Sequence, residues 1–316
     1  MKKVLLFLIA TFLALNVVFG QKTLNNQVLI NIDNDRFTAD ATDKYYTNGI
    51  DIGWKKVITD STFLKRIFRK KPCIKSTFAF NIAHKIYTPK NIASLIAQMH
   101  DRPYASILTA SGDLDMFLTT QSLIKAKLEL GATGKVSGGE AFQKWWHKQS
   151  NITAPKGWEN QISNSPIINI DLVYSKQWFD NKWLDFITES NLQFGTLRTS
   201  TRHGGVMRIG VMDRFHQSSY SNNRIGSGDF RRKFEIYFYY GLSLEYVKYN
   251  GLIQGNWIGK KSPHTLEITP WVYYSKYGIA IGNRYMDFNF SYQNLTKEME
   301  HGLKHKYASI RLNVRF

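Results

Sequence analysis

Apolar and polar side chains alternate over long stretches of this 316-residue chain, most clearly at the C-terminal end. In residues 306–316 every second position is apolar, namely Ala308, Ile310, Leu312, Val314 and Phe316. The positions between them are polar, charged or tyrosine. A period of two is typical of a β-strand with one face toward an apolar medium and the other toward water. The final segment is therefore predicted to be an amphipathic strand.

Similar segments recur along the whole chain, and there are about twelve of them. They cover residues 27–34, 45–57, 76–87, 104–112, 115–131, 166–178, 183–199, 204–213, 233–249, 264–275, 277–292 and 305–316. An even number of alternating strands is the sequence signature of a transmembrane β-barrel made from a single chain. We therefore predict an all-β fold, a twelve-stranded antiparallel outer-membrane β-barrel that forms one domain.

Two other architectures compete with the barrel. Beyond residue 20 no run of about 18 apolar residues occurs, so no transmembrane helix is predicted. A barrel remains possible because a closed sheet also pairs its backbone polar groups within lipid. The alternative is a soluble β-sandwich secreted to the periplasm. A sandwich needs two apolar faces that pack together, whereas several segments here are long, aromatic-rich and polar on the alternate face.

The first twenty residues have the character of a secretory signal peptide. Two lysines precede an apolar run over residues 4–19, and Val18-Phe19-Gly20 places small residues where a signal peptidase cleaves. We expect cleavage before Gln21, which leaves residues 21–316 as the barrel. A non-cleaved anchor is the alternative, although the run is short for a span of about 20 residues. Export makes nucleic acid an unexpected partner.

Composition adds one exclusion and one suggestion. Cys73 is the only cysteine, which excludes an intramolecular disulfide and a thiolate zinc cluster. The formal net charge is +18 at pH 7, and a basic rim would concentrate anionic head groups. The densest basic run, residues 65–71, falls in a predicted periplasmic connection. It therefore suits anionic lipid on that side better than a substrate.

Strand parity predicts which connections face outward. Both termini of an outer-membrane barrel lie in the periplasm, so loops after odd-numbered strands are predicted to be extracellular. These loops cover residues 35–44, 88–103, 132–165, 200–203, 250–263 and 293–304. The third loop is the longest, and it contains the predicted helix.

This helix is predicted to begin at a capping box and to run to Gln149. Ser137 would accept a hydrogen bond from the first turn while Glu140 reaches back to the chain before it. The helix has an apolar stripe (Phe142, Trp145 and Trp146) and a polar line (Glu140, Gln143 and His147). It therefore presents a histidine beside two indoles.

Five ordered motifs link the chain to a known family. They are Asn34-Asp35, residues 43–49 (DKYYTNG), residues 87–89 (YTP), residues 101–105 (DRPYA), and Gln143 with His147 followed by residues 157–161 (GWENQ). In this order they resemble the outer-membrane lipid A deacylase family, the lipid A 3′-O-deacylases and their relatives. The resemblance is strongest over residues 27–178. It implies a twelve-stranded barrel with a Ca²⁺-dependent hydrolase site at its outer rim.

The resemblance also implies roles for individual residues. His147 would be the general base that activates water, a task that suits an imidazole of near-neutral pKa. Asn34 and Thr47 would complete the catalytic site. Asp35, with the Asn34 amide, offers the hard oxygen ligands that Ca²⁺ prefers. Strand counting predicts that these separate motifs meet at one rim of the barrel.

The sequence departs from the family pattern at one expected metal ligand. An acidic residue is expected six positions after the histidine, where this chain has Thr153. One possibility is that Glu140 or Glu159 supplies the carboxylate instead. The other is that calcium binding and activity are weakened.

The expected substrate is lipid A, or lipopolysaccharide, in the outer leaflet of the outer membrane. The resemblance implies hydrolysis of an ester-linked acyl chain, the 3′-acyloxyacyl group. Lys85 and Arg102 are candidates for substrate contact, although Arg102 is better suited to ordering its loop, and Trp145 and Trp146 are expected near the acyl chains. The terminal aromatic strand also resembles the signal read by the barrel-assembly machinery, an expected partner during biogenesis.

Two other functions remain open at this point. The same scaffold could be catalytically inactive and serve as a pore or structural protein, which Thr153 favours. It could also be a phospholipase that acts on glycerophospholipid. A serine esterase is poorly supported because no Gly-x-Ser-x-Gly motif is present.

Overall fold

The computed structural model describes residues 23–38, 44–58, 73–226 and 230–316. In these ranges twelve antiparallel strands close into one barrel, which confirms the predicted fold. The strands are β1 (Asn26–Asn34), β2 (Tyr45–Val57), β3 (Lys75–Thr88), β4 (Ala105–Thr119), β5 (Ser122–Thr133), β6 (Ser165–Asp180), β7 (Leu184–Gly195), β8 (Arg198–Val211), β9 (Phe234–Asn250), β10 (Trp271–Asn283), β11 (Met286–Leu295) and β12 (His305–Arg315). The α-helices of these ranges are α1 (Gly139–Ser150) and α2 (Gly251–Gln254). The predicted signal peptide and the basic run 65–71 lie outside the described residues.

The barrel closes between its first and last strands. β1 pairs antiparallel with β12, from Gln27 opposite Arg315 to Asn34 opposite Ala308. A closed sheet pairs its backbone groups all the way round, which is the condition for strands to lie in a bilayer. The barrel end opposite the two termini is called the outer rim below. Within the described ranges, none of the helices is long and apolar enough to cross a membrane.

One predicted turn, between the fourth and fifth strands, is misplaced. The sequence Gly112-Asp113 is typical of a turn, but β4 continues to Thr119 and the chain reverses at residues 120–121. Asp113 and Asp115 are lumen positions of an unbroken strand, and Asp115 binds Lys55 there. Polar strand residues that face the lumen can therefore resemble turn residues in the sequence.

Two further predicted turns are wrong for the same reason. The polar pair Ser275-Lys276 predicts a break, yet β10 runs from Trp271 to Asn283 and Lys276 lies over the Tyr239 ring. Residues 264–270, predicted as strand, belong instead to the loop before β10, and β11 begins at Met286. The turn predicted at 200–203 lies at 196–197, because Arg198 is a β8 residue whose side chain pairs with Glu245.

The outward face of the barrel is apolar and carries aromatic residues near both ends. Leu128, Ile168 and Ile170, on neighbouring strands, are each about half exposed. Exposed tryptophans lie near the two ends of the strands: Trp178 and Trp183 toward the termini, and Trp145, Trp146 and Trp271 toward the outer rim. Aromatic girdles of this kind mark the two water interfaces of a membrane barrel.

The lumen is lined by charged and polar side chains that pair with one another. Its buried ion pairs include Lys55–Asp115 (2.7 Å), Arg224–Glu235 (2.6 Å), Arg208–Asp185 and Arg315–Asp287. Removing one partner of such a buried pair typically costs about 3–5 kcal/mol, because the other charge is left uncompensated. Arg208–Asp185 and Arg315–Asp287 join neighbouring strands, Lys55–Asp115 reaches from β2 across β3 to β4, and Arg224–Glu235 ties the β8–β9 connection to β9.

A segment of the β8–β9 connection, residues 218–223, folds back into the lumen. Asn222 accepts a hydrogen bond from Lys55 of β2, and Asn223 bonds to Thr77 of β3 and Asp115 of β4. On the opposite wall, Ser219 hydrogen bonds to Tyr237 of β9 and Tyr220 to Glu189 of β7. Because it bonds to strands all round the barrel, this lumen segment fills the barrel near the end that carries the termini.

The outer rim is tied together by contacts between loops. The Arg102 guanidinium binds the Glu298 carboxylate at 2.7 Å, joining the β3–β4 loop to the β11–β12 loop. Burial raises the pKa of Glu298, but Arg102, His305 and Arg198 together outweigh burial and lower the pKa to about 2. The Tyr45 hydroxyl donates to Asp101 and accepts from the Leu303 amide. These contacts fix the loops around α1.

Candidate active site

Helix α1 lies against the outer face of the barrel wall. Its first residue, Gly139, touches Ser106 so closely that a Cβ placed there would lie 2.2 Å from the Ser106 Cβ. One turn later, the Phe142 ring meets the edge of His84, a residue of β3, with ring centroids 5.5 Å apart. The helix therefore covers β3 and β4 near the outer rim.

The predicted capping box is wrong. Gly138, at a φ of 76°, is the N-cap residue of α1, and no side chain caps the helix. The Ser137 hydroxyl instead donates to the Gly134 carbonyl (2.6 Å) and shares a hydrogen bond with Ser106. Glu140 pairs with Lys144 on the exposed side. The two glycines thus serve a tight turn and a close helix–wall contact.

The burial pattern of α1 is the reverse of that expected for a helix in a soluble protein. Its buried residues are Gly139, Gln143 and His147, whereas Trp145 and Trp146 are 54% and 47% exposed. A helix normally buries its apolar stripe. Polar side chains against a wall, with indoles facing outward, are expected where the surroundings are lipid and the polar face has a chemical role.

A small cavity lies between this polar face and the ends of β1, β2 and β3. It is lined by Asn34, Arg36, Thr47, Asn48, Ile86, Phe142, Gln143, Trp146, His147 and Ile152. Its volume is about 20 Å³, enough for one water molecule. The three predicted catalytic residues, His147, Asn34 and Thr47, all line this cavity, although His147 is a hundred positions after Thr47 in the sequence.

His147 is held in one tautomer by the chain that follows the helix. Its Nδ1 donates to the backbone carbonyl of Thr153 at 2.6 Å, and its own carbonyl accepts from the Ile152 amide. A carbonyl oxygen can only accept, so the ring proton is on Nδ1 and Nε2 is the basic nitrogen. Thr153, at the position expected to be acidic, acts here through its backbone.

Gln143 is positioned by a tryptophan from the next segment. The Trp158 indole, fully buried between Tyr104 and Ile86, donates to Gln143 Oε1 at 2.8 Å. This bond orients the amide and turns Nε2 away from the indole. Within the described part of the chain, Gln143 Nε2 is buried and makes no hydrogen bond. It is therefore a pre-oriented donor in the cavity wall.

The end of β1 and a bulge in β2 place side-chain oxygen atoms at or next to the cavity. Asn34 Oδ1 accepts from the Arg36 amide, and Asp35 Oδ2 accepts from the Lys44 amide at 2.7 Å, which ties residues 35 and 44 together. The β2–β3 register shifts between Tyr46 and Asn48, leaving Thr47 out of the ladder. A bulge re-aims a side chain in this way, and Thr47 Oγ1 lies 2.6 Å from Thr88 Oγ1.

Comparison with known proteins identifies the family. The family model described as outer membrane protein LpxR matches residues 5–316. The chain belongs to the LpxR family of outer-membrane proteins. Membership accords with the apolar outer face and the aromatic girdles of the barrel.

One solved structure supports the fold of this LpxR family member. LpxR from Salmonella typhimurium is 19% identical, with a TM-score of 0.74 over 92% of this chain and 100% of that one. The β domain of the Bordetella autotransporter BrkA is 9% identical, with a TM-score of 0.47 over 93% of this chain and 100% of that one. The first comparison confirms the twelve-stranded architecture. No curated protein sequence matches this chain.

Several predicted site residues are not brought to the cavity. Lys85 lies on the lumen side of β3, between its outward neighbours His84 and Ile86. Arg102 is buried under the loops, where it pairs with Glu298 and stacks on Tyr87.

The two glutamates proposed as substitute ligands and one of the two indoles also lie apart from the cavity. Glu140 is engaged by Lys144, and Glu159 is exposed in the turn at residues 158–160. Trp145 packs on Phe142 and Trp146, and of the two indoles only Trp146 lines the cavity.

Several cavity residues, among them Arg36, Asn48 and Ile86, carry no predicted role. Arg36 follows the Asn34-Asp35 motif, Asn48 follows Thr47, and Ile86 precedes the Tyr87 motif. Each is next to, or one residue from, a motif residue, so motif proximity was a usable signal. The deciding information, which face of the strand each one occupies, depends on the bulge at residue 47 and on the placement of α1.

The donors near the cavity are mostly neutral oxygen atoms. Among the described residues no cluster of three or more His, Cys, Asp or Glu side chains could hold a metal ion. Asn34, Thr47 and the adjacent Asp35 offer an amide, a hydroxyl and one carboxylate. This set fits a hard cation such as Ca²⁺, and its single charge fits weak binding, because affinity rises with the number of charged ligands.

Proposed function

We propose that the chain is an outer-membrane esterase that releases an ester-linked acyl chain from lipid A, with His147 as general base. The observation that carries the proposal is the His147–Thr153 hydrogen bond beside a cavity for one water molecule. It fixes the orientation of the imidazole at a position where water fits. Family membership favours lipid A as the substrate.

The reaction follows from this arrangement. His147 Nε2 takes a proton from water, and the resulting hydroxide attacks the ester carbonyl carbon to form a tetrahedral oxyanion. The bond from carbon to the ester oxygen then breaks. The departing alkoxide takes the proton from His147 and leaves as an alcohol. The fatty acid releases its own proton to solvent and leaves as a carboxylate. A correctly placed base contributes about 10²–10⁴-fold to such a step.

Three cavity residues complete the proposed site. Gln143 Nε2, oriented by Trp158, would donate to the carbonyl oxygen as charge develops on it. A donor aimed at a developing oxyanion contributes about 10²–10³-fold. Arg36, exposed at the cavity edge, would attract the phosphate-bearing head group of lipid A. The Asn48 amide adds a further polar contact for the sugar.

The location of the cavity supports a lipid substrate. It lies on the outside of the barrel wall at the outer rim, where indoles such as Trp146 mark the bilayer interface. The termini end would face the periplasm, so the cavity would meet the outer leaflet. Cleavage of a signal peptide before Gln21 and assembly by the barrel-assembly machinery stay predictions of the sequence.

Calcium is part of the proposal. Asn34, Asp35 and Thr47 would hold the ion. Bound Ca²⁺ would supply positive charge that stabilises an oxyanion. One carboxylate in the set predicts weak affinity, in the range of about 10⁻⁴–10⁻³ M typical of low-charge extracellular sites.

A pore is disfavoured by the lumen segment 218–223. Its hydrogen bonds to β2, β3, β4, β7 and β9 occupy the barrel interior. An open channel needs a continuous water path through that interior. The barrel is therefore better suited to be a rigid support for the site on its wall than to be an ion channel.

The test is acyl release from lipid A by purified protein, measured by mass spectrometry. His147→Ala is compared with wild type and with His301→Ala, a control at an exposed histidine of the outer-rim loop 296–304. We expect loss of activity only in His147→Ala. Each protein is also given phosphatidylethanolamine, where fatty-acid release would identify a phospholipase.

The possible outcomes separate the alternatives. Acyl release from lipid A that survives His147→Ala removes this residue from the mechanism. Absence of release in wild type at millimolar Ca²⁺, with measurable ion conductance in planar bilayers, supports an inactive pore-forming relative. Release that is unchanged by a chelator overturns the calcium part alone.

A further inference from the structure

An apolar groove runs along the outside of the barrel wall. It begins beside the small cavity that His147 lines, called the catalytic cavity below, and extends toward the barrel end that carries the termini. It is formed by outward side chains of β1, β2 and β3 and is roofed by Phe142 of α1, with a volume of about 560 Å³. Its lining is almost entirely apolar and includes Ile50, Ile52 and Trp54 of β2. We call it the wall groove.

The strand register makes the wall groove continuous with the catalytic cavity. Asn48, a cavity residue, pairs with Asn34 on one side and Ile86 on the other, and both of these also line the cavity. The next outward position on β2 is Ile50, the first groove residue, which pairs with His84. Phe142 lines both spaces.

The far end of the wall groove is closed by a pair of aromatic residues. Trp54 pairs directly with Phe80 across β2 and β3, and their side chains are 40% and 46% exposed. Trp54 is six positions after Asn48, which is about 20 Å along a strand. That length is comparable to an extended long-chain fatty-acyl group.

We propose that the wall groove holds the acyl chain whose ester is cleaved, and that Trp54 and Phe80 set the preferred chain length. This inference rests on the proposed esterase function and extends it to substrate selection. An ester seated beside His147 has its hydrocarbon tail leaving the polar cavity. The groove that begins one outward position away is apolar and directed into the bilayer, as such a tail requires.

The residues that line the wall groove would select the length of the acyl chain. A chain that fits above Trp54 gains contact with Ile52 and Phe142, whereas a longer chain must bend away from the aromatic pair. Apolar pockets discriminate by about 10–200-fold per methylene misfit when they are well formed. A groove open to lipid on one side should reach the lower end of that range.

The experiment fills the groove at its middle. Ile52→Trp is compared with Ile170→Trp, a control on the outward face of β6 whose isoleucine is similarly exposed, 48% against 53%. Both variants add the same indole to the lipid-facing wall. kcat/KM is measured for lipid A species that differ only in whether the ester-linked chain is short or long.

We expect Ile52→Trp to lower kcat/KM for the long chain about tenfold more than for the short chain. Ile170→Trp should leave the ratio unchanged. Trp54→Ala, which opens the far end, should move the preference toward longer chains. Equal effects of Ile52→Trp and Ile170→Trp, or an unchanged preference in Trp54→Ala, overturn the proposal.

A second readout separates this inference from the proposed function. In His147→Ala, which is not expected to turn over, a lipid A analogue with a photoreactive group at the end of its ester-linked chain is crosslinked and the labelled peptides are mapped. Labelling concentrated on β2 and β3 supports the groove whether or not wild type is active. Labelling spread evenly to β5 and β6, as expected for a bulk phospholipid probe, refutes it.

Discussion

Substitution of Gly139 by alanine tests how the site depends on close packing of α1 against the wall. A Cβ at this position would lie 2.2 Å from the Ser106 Cβ, 2.3 Å from its Oγ and 3.1 Å from a ring carbon of Trp158. Carbon atoms pack at about 3.5 Å or more, so the start of the helix must move outward by more than 1 Å. His147 is eight residues along the same rigid helix.

The expected effect is on catalysis more than on folding. Misplacing a catalytic group by about 1 Å costs about 10²-fold in rate, or about 2.7 kcal/mol of transition-state stabilisation. Alanine is a better helix former than glycine by about 1 kcal/mol, so helix propensity alone predicts no loss. We expect kcat/KM for acyl release to fall about 100-fold in Gly139→Ala.

Gly138→Ala is the matched control. An added Cβ meets nothing within 4 Å at Gly138, although its φ of 76° makes alanine strained. That variant should lose stability, seen as easier unfolding of the barrel in dodecyl sulfate on heating, with little loss of activity in the folded fraction. If Gly139→Ala is as active per folded molecule as Gly138→Ala, the tight helix–wall contact does not position the base.

Three further predictions follow from other contacts. Trp158→Phe removes the donor to Gln143 Oε1, and leaving such a buried acceptor unpaired costs about 1–3 kcal/mol. We expect kcat to fall about tenfold while KM changes little. An unchanged kcat would show that catalysis does not depend on the Trp158–Gln143 hydrogen bond. A chelator should abolish acyl release and millimolar Ca²⁺ should restore it, in parallel assays with Mg²⁺ as the comparison cation. Glu298→Gln should destabilise the outer rim by about 3–5 kcal/mol above pH 4.5. The depressed pKa of Glu298 gives stability that is lost as pH falls toward 2. The rate of loop proteolysis in the two proteins, measured across that pH range, checks this. If the variant is still cleaved faster than wild type at pH 2, loss of the Arg102 pair is not the cause.

Strand number and strand order were predictable because they depend on a period of two. In β12 the alternation is uninterrupted, and its predicted start coincides with His305. The errors arose where lumen chemistry imitates turn chemistry, as at Asp113 and Lys276. Sequence alone could not tell a paired lumen charge from a solvated turn residue, because the partners, Lys55 for Asp115 among them, come from other strands.

The candidate site was partly predictable from motif order. Strand counting brings Asn34, Thr47 and His147 to one rim, and all three line one cavity. The orientation of α1 was not predictable, because its amphipathic pattern gives two faces without saying which one meets the wall. Lys85 shows the same limit, since one step along β3 moves a side chain from the outer face to the lumen.

Placing the cavity on the outside of the wall has a consequence for kinetics. The ester would reach His147 by sliding sideways within the leaflet, and the molecule would never need to be lifted out into solution. Turnover should then depend on the mole fraction of substrate in the membrane and not on its bulk concentration. Diluting the membrane with inert lipid at constant total substrate should slow the enzyme, while adding buffer to the same vesicles should not.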